Sequence, residues 1–435
     1  MGQNFLQDDS VATAIADAAE IAPGDPVVEI GPGTGAVTRH LIGRGRHTWL
    51  VEKDDSLSEH QRGLWLERPD VTLLHADATD VDLRPFFAEG PVTLVGNLPY
   101  SVGTAILTRW LENPSPVGRA VFMLQQEVCE RLAASPRTKA YGQISVRLQA
   151  RWHVRHLRKV PSTAFVPRPN VESAIVALWP RDRREFPCFD ERLFTKLVQA
   201  GFSQRRKQLK NIMPPPPRPW AELCAAIGEP ETVRAEELSV GQWIAITRLY
   251  DRNPLADVPQ KDDEIFDVVD EQDRPVSQAR RADVHAQGLR HRAIHAFVLN
   301  RRGELLLQKR SHLKDAHPSV WDSSAAGHLD AGESYAACAL RELHEELGLK
   351  HIAETPVRVG KIDACSDTGW EFVEVYVTHH EGPFAFPAAE IECVQFFPPE
   401  ELDRWTGARP QDFAPGFLRC YNLWRTPAAA SNATV

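Results

Sequence analysis

The 435-residue chain reads as α/β in both halves. A β-branched run, Pro26-Val27-Val28, closes on Glu29-Ile30-Gly31-Pro32-Gly33-Thr34-Gly35, and further strands alternate with helical stretches after it. Beyond Glu264 a new strand pattern begins. Alternation of this kind predicts a parallel, doubly wound sheet. The expected order is a Rossmann-like domain at 1–182 and a small all-helical module at 183–250. A linker at 251–263, an α/β/α domain at 264–425 and a tail at 426–435 follow. At this length two or three cores are the natural expectation.

In chain order, Val11, Ile15, Ala18, Ala19 and Ala22 recur at helical spacing behind the capping residues Asp8, Asp9 and Ser10. Strand 27–30 leads through the glycines into a helix expected to run through Leu41. Glycines there tolerate positive φ and let a ligand lie against bare backbone. Strands at 49–51, 71–74 and 92–95 come next. Just past their ends stand Glu52, Asp77 and Asn97, which should all face the glycine turn.

Composition is that of a globular protein, 43% hydrophobic and 25% charged, with no apolar run long enough to cross a bilayer. Seven scattered cysteines without a Cys-x-x-Cys pair argue for a reducing cytosol, against a disulfide framework and against a zinc cage. No secretory leader is read at the N-terminus, so a cytoplasmic location is expected. Net charge is −9, yet Arg147 to Lys159 holds five basic residues and no acid, and Arg205, Arg206, Lys207 and Lys210 form a second acid-free cluster. Local patches, rather than total charge, mark nucleic-acid contact. A solvated helix face is the alternative for either cluster alone.

The residues gathered at the turn fit S-adenosylmethionine better than a dinucleotide. Glu52 can accept from both ribose hydroxyls, and Asp77 from an adenine amine. A pyrophosphate would want a helix N-terminus free of acid, and Glu29 lies beside the turn. Asn97-Leu98-Pro99-Tyr100 supplies the chemistry. The Asn97 side-chain oxygen and the Leu98 carbonyl can accept both N–H bonds of an exocyclic amine, localising its lone pair toward a methyl donor. Pro99 restrains Leu98 to an extended conformation. Tyr100 offers a face for an extruded base.

These residues, with Gly2-Gln3-Asn4-Phe5-Leu6, Phe122–Val128, Tyr141-Gly142-Gln143, Val160–Phe165 and Phe202-Ser203-Gln204-Arg205-Arg206-Lys207, resemble one family over about residues 1–250. It is the ribosomal RNA adenine-N6 dimethyltransferases acting on adjacent adenines of small-subunit rRNA. The resemblance implies that Gln3, Asn4 and Leu6 line the cofactor site with Gly31, Gly33, Glu52, Asp77 and Asn97, and that Phe165 is a second platform for the base. It implies that the helical module and both basic clusters grip rRNA phosphates, Arg205, Arg206, Lys207 and Lys210 among them. The expected partner is small-subunit rRNA or a pre-ribosomal small subunit, with no membrane. Family members usually carry a basic segment before the Gly-Gln-Asn-Phe-Leu run; here Met1 directly precedes it. The prolines 214–217 are expected to act as a rigid connector.

In the second half, Ile265–Val269, Ala293–Leu299 and Glu304–Gln308 read as strands. Gly327, Glu333 and Arg341-Glu342-Leu343-His344-Glu345-Glu346-Leu347-Gly348-Leu349 then match the Nudix box at every defined position. Glu342, Glu345 and Glu346, at i, i+3 and i+4, share one helix face, a ligand set for Mg²⁺ or Mn²⁺ bridging to a diphosphate and activating water. Glu345 and Glu346 are the expected catalytic pair. Stacked like charges need a cation or an Arg beside them. Trp321–His328 and Lys314-Asp315 look like the branch that includes isopentenyl-diphosphate isomerase. The isomerase's catalytic Cys is absent from Ser323-Ser324-Ala325-Ala326, so a hydrolase is expected. In that branch imidazoles matching His285, His291 and His328 hold an accessory metal; structural or substrate-facing roles are the expected ones here. Glu374, Glu390 and Glu392 are candidate general bases.

Two enzymes in one chain are therefore expected, one transferring methyl groups to rRNA, the other hydrolysing a diphosphate-containing small molecule. A large-subunit rRNA adenine methyltransferase shares the pocket but not the Phe-Ser-Gln-Arg-Arg-Lys run with its helical module. An RNA-binding assembly factor with the second domain as scaffold would not need intact cofactor and metal residues.

Overall fold

The β-branched run at Pro26–Ile30 forms an interior strand of a seven-stranded sheet in the computed structural model. The structure describes residues 4–426 except 66, 100, 101, 252–262, 351, 353 and 354. Gln3, Tyr100, nearly all of the expected linker and the tail after residue 426 lie outside the described residues. The chain divides into two units, Met1–Arg252 and Asn253–Val435.

In the first unit the strands run in the order Val71–His75, His47–Glu52, Pro26–Ile30, Val92–Asn97, Val117–Gln125, Ser173–Pro180 and Trp152–Val160. The first five are parallel and the last two antiparallel. Pro26–Ile30 is buried at every position because both faces are covered, Val28 and Ile30 packing with Leu94 and Trp110 on one side, Val27 with Ile15 and Val95 on the other. Chain order reverses between 26–30 and 92–97, which puts the ligand crevice at their carboxyl ends.

The helix after the glycines is only Thr38–Leu41, because positive φ at Gly31, Gly33 and Gly35 holds residues 33–37 in turns. Helices Glu191–Phe202, Trp220–Ile227 and Val240–Tyr250 close around the fully buried Trp243. Gly201 allows their close approach, since a Cβ there would stand 2.4 Å from the indole. That core takes in Tyr141 and Val146, so the helical module shares a core with the helix Gln143–Gln149 and belongs to the first unit. The Tyr250 hydroxyl donates to the Pro214 carbonyl at 2.9 Å, anchoring the start of the proline run.

The second unit has its own seven-stranded sheet. Its central strand His291–Leu299 pairs in parallel with Glu371–His379 and antiparallel with Ala325–His328. Helix Tyr335–Leu347 packs Ala339, Leu343 and Leu347 on Ile294 and Ala296. Elsewhere in the unit, helices Pro399–Ala408 and Pro415–Arg425 pile Trp405, Phe417 and Tyr421 against Trp321, Phe297 and Phe413.

Candidate functional site

The glycine turn is held from two directions. Gly31 N–H donates to the Val51 carbonyl at 2.9 Å, and Gln61 Nε2 donates to the Gly33 carbonyl at 2.8 Å while its Oε1 accepts from Trp65 Nε1. The buried Glu52 carboxylate accepts from Gly33 N at 3.2 Å, Lys53 N at 2.9 Å and Asp54 N at 3.0 Å. Backbone donors thus fix the acid against the turn before any ligand arrives.

The chain's N-terminal run is brought here by pairing. Phe5–Leu6 lies antiparallel to Phe165–Val166, with Leu6 opposite Phe165. One cavity is consequently lined by Asn4, Leu6, Gly31, Gly33, Glu52, Asn97, Leu98 and Phe165, all expected from sequence. Phe165 is 3% exposed and packs with Leu6, so it is a wall of this cavity more than a free stacking platform.

Among the cavity residues that were not expected, two stand out. Phe5 lies over Gly33, where a Cβ would meet its ring at 3.5 Å. Glu29 is buried, and its Oε2 has no hydrogen-bond partner among the described residues. Burial, opposed by Thr38 and reinforced by Glu52, pushes the Glu29 carboxyl up to about 8. A charge inside the otherwise apolar run 26–30 was the available signal.

Asp77 does not line the cavity. Its Oδ2 accepts from Lys53 Nζ at 2.5 Å, and its Oδ1 from Thr79 N and Oγ1 at 2.9 and 2.8 Å. Lys53, then Thr79, holds this carboxyl down at about 2.

The two basic clusters separate. Arg147–Lys159 is not a helix face and is not in the helical module: it spans the end of helix Gln143–Gln149 and the edge strand Trp152–Val160, where Arg155, Arg158 and Lys159 are exposed. A bulge between His156 and Arg158 shifts the register there. In the second cluster Arg206, Lys207 and Lys210 are exposed, but Arg205 is bound to Glu236 and the Thr138 carbonyl.

In the second unit the three box carboxylates differ. Glu342 and Glu346 are buried while the Glu345 side chain is 59% exposed. Burial, with Glu346 adding and Arg341 opposing, pushes Glu342 up to about 8. Burial is also the main cause that lifts Glu346 to about 7, with Lys314 opposing and Glu390 reinforcing. Arg341 joins the box together: it donates to Glu342 Oε1 at 2.7 Å, Glu345 Oε2 at 3.3 Å, Glu333 Oε2 at 2.9 Å and the His328 carbonyl at 2.8 Å. Glu346 Oε2 accepts from Ala326 N and Gln308 Nε2. Serine 334 caps this helix at one end and Gly348, at φ +71°, ends it.

Among the candidate bases, Glu390 holds Lys314 at 3.1 Å and its charge reaches Glu346. Glu374 accepts from Tyr376 Oη and pairs with Arg358, and Glu392 lies 3.9 Å from Lys309.

His285, His291 and His328 come together, with ligand atoms all within 4.8 Å of one another. Glu371 Oε1 is 2.9 Å from His328 Nε2 and 3.5 Å from His291 Nε2. Burial, then the neighbouring imidazoles, lowers His285 to about 4. Against burial, hydrogen bonds from His291 and His328 hold Glu371 well below the usual carboxylate range.

Residues 1–251 match the family model described as ribosomal RNA adenine dimethylase, and residues 289–415 match that of the NUDIX domain. A protein named ribosomal RNA small subunit methyltransferase A from Thiobacillus denitrificans is 44% identical over 247 residues, 57% of this chain and 94% of that protein. One of the same name from Leptothrix cholodnii is 38% identical over 256 residues, 58% of this chain and 91% of that protein. The crystal structure of the 23S rRNA methyltransferase ErmE aligns with a TM-score of 0.47 at 26% identity, covering 57% of this chain and all of that one.

Proposed function

Because the chain belongs to the ribosomal RNA adenine dimethylase family through residues 1–251 and carries a NUDIX domain at 289–415, we propose that it is a bifunctional enzyme. The first unit dimethylates N6 of two adjacent adenines in small-subunit rRNA with S-adenosylmethionine. The second hydrolyses a diphosphate-containing small molecule with Mg²⁺ or Mn²⁺.

For the first unit the supporting observation is the single cavity that joins Glu52 and the glycine turn to Asn97-Leu98-Pro99. A cationic cofactor fits it: Glu29 Oε2 is a buried polar atom without a partner among the described residues, a carboxyl that a nearby cation would help to ionise, and Glu52 is pinned for hydroxyls. Bound S-adenosylmethionine supplies an electrophilic methyl group. The chain's own part is positional. Asn97 Oδ1 and the Leu98 carbonyl accept from the adenine amine, the buried Leu98 side chain anchors that carbonyl, and Leu98 N–H donates to the Met123 carbonyl at 3.1 Å. Asp77 reaches an adenine amine only by exchanging it for Lys53. Arg206, Lys207 and Lys210, exposed and without an ion pair among the described residues, are available for rRNA phosphates. The names of the curated relatives favour the small subunit over the large one.

For the second unit the supporting observation is that Glu342 and Glu346 are both buried, the charge of Glu346 raising the Glu342 carboxyl, with Arg341 bound to Glu342 of the two. Such a pair is unfavourable alone and fits a divalent cation, which would bridge phosphates and lower the pKa of water. Glu342, Glu345 and Glu346 would hold it, and Glu390 is the base candidate whose field reaches Glu346. The three imidazoles with Glu371 fit a second, softer divalent ion. The structural or substrate-facing roles expected from sequence are set aside in this reading because the three ligand atoms lie within 4.8 Å of one another beside a carboxylate.

The test is to incubate full-length protein with unmethylated small-subunit particles and labelled cofactor, and to map label by mass spectrometry. Asn97→Ala should leave particle binding intact and abolish transfer. Transfer at the unaltered rate would end the first assignment. Screening diphosphate compounds with Glu345→Gln as control tests the second: metal-dependent phosphate release should vanish in the variant.

A further inference from the structure

A groove of about 1000 Å³ lies within the first unit, apart from the cofactor cavity. One wall is helix Gly103–Leu111, which starts at the end of the Asn97–Pro99 loop: Gly103 N–H donates to the Pro99 carbonyl at 2.9 Å. The opposite wall is helix Glu191–Phe202 of the helical module, extended by Arg205 of the Phe-Ser-Gln-Arg-Arg-Lys run. Leu107, Ile144, Leu148 and Phe194 give the floor an apolar character. Six cations, Arg131, Arg147, Arg151, Arg192, Lys196 and Arg205, face two carboxylates, Glu112 and Glu191, on the lining.

We propose that this groove is a nucleotide subsite: it takes an unstacked base that flanks the target adenines in the substrate RNA, with its phosphate on the rim. The inference rests on the rRNA reading above. An apolar floor accepts a base face of any sequence, and a cationic rim accepts its backbone. The ion pairs already on the rim do not close it. Arg147 is bound to Glu112, Arg131 to Glu127, Arg151 to Glu191, Arg205 to Glu236, and Arg192 lies 3.6 Å from Asp190. The pairs of Arg131, Arg147 and Arg205 are partly exposed and of the weak kind, so a phosphate competes for these guanidiniums. Lys196 is exposed and has no partner among the described residues. Continuity decides the occupant: a strand whose adenine sits at Asn97 and whose phosphates reach Arg206 and Lys207 borders both walls of this groove.

The test measures binding of the full-length protein to a hairpin RNA carrying two adjacent adenines, and to the same hairpin made abasic at each position flanking them. Thr108→Trp fills the groove from a partly exposed wall position, and Lys196→Glu reverses the free rim charge. One abasic position should weaken binding of unaltered protein about fivefold or more. The same position should matter little to Thr108→Trp, whose affinity is already reduced. Lys196→Glu should weaken every hairpin about equally, with cofactor affinity unchanged in both variants. If the unaltered protein binds the hairpin no better than an unrelated RNA of equal length, the rRNA reading and the subsite fall together. If it binds well but no abasic position and neither variant matters, the rRNA reading stands and the subsite is overturned, leaving a protein segment as the groove's occupant.

Discussion

Gly327 and Glu342 are packed so closely that a Cβ on the glycine would stand 1.9 Å from Glu342 Oε1. The first glycine of the box is therefore a space requirement set by a carboxylate fifteen residues later. Gly327→Ala must push Glu342 off its position against Arg341. It should reduce metal-dependent hydrolysis about 100-fold or more while methyl transfer by the same chain is unchanged, since misplacing a reacting group by an ångström costs on this order. Parallel assays of the two activities check it.

Arg341 offsets three carboxylates at once. Arg341→Ala leaves Glu333 and the buried Glu342 without their main donor, and losing hydrogen bonds to charged groups costs about 2 kcal/mol. Denaturant unfolding should show a lower midpoint, and saturating Mg²⁺ should restore part of it by occupying the same carboxylates. An unchanged midpoint would refute the role.

Glu52 orders the glycine turn through three backbone donors. Glu52→Ala should weaken binding of the cofactor or its demethylated product about 100-fold by calorimetry, the equivalent of two lost charge-assisted hydrogen bonds. Lys53→Met frees Asp77 Oδ2 and should not weaken it.

Glu29 gives the first unit a pH dependence. Its carboxyl titrates at about 8 against 4.5 for an ordinary Glu. A raised acid binds its proton more tightly in the folded state, so its contribution is complete below about 4.5 and is lost as pH rises through about 8. The melting temperature of unliganded protein should fall between pH 5 and about 9, and Glu29→Gln should flatten that fall. Equal slopes for both proteins would refute it.

What sequence alone could determine was whatever is encoded over a few residues. The strand 26–30 with its glycines, the acid or amide closing each neighbouring strand, and the box helix with carboxylates at i, i+3 and i+4 depend on local periodicity and φ preference, and they stand where they were expected. Phe5 reached the cavity at the glycine turn only because strand 5–6 pairs with strand 165–166. The three imidazoles come from helix 281–287, strand 291–299 and strand 325–328, and register alone sets Glu371 opposite His291. Long-range partners also decided which charges are already paired: Lys53 covers Asp77, and Glu236 pairs with Arg205. Burial, which depends on the whole packed sheet, made Glu29, Glu342 and Glu346 unlike Glu345, although all four are the same residue type. Chemical identity is local; desolvation and ion pairing are properties of the fold.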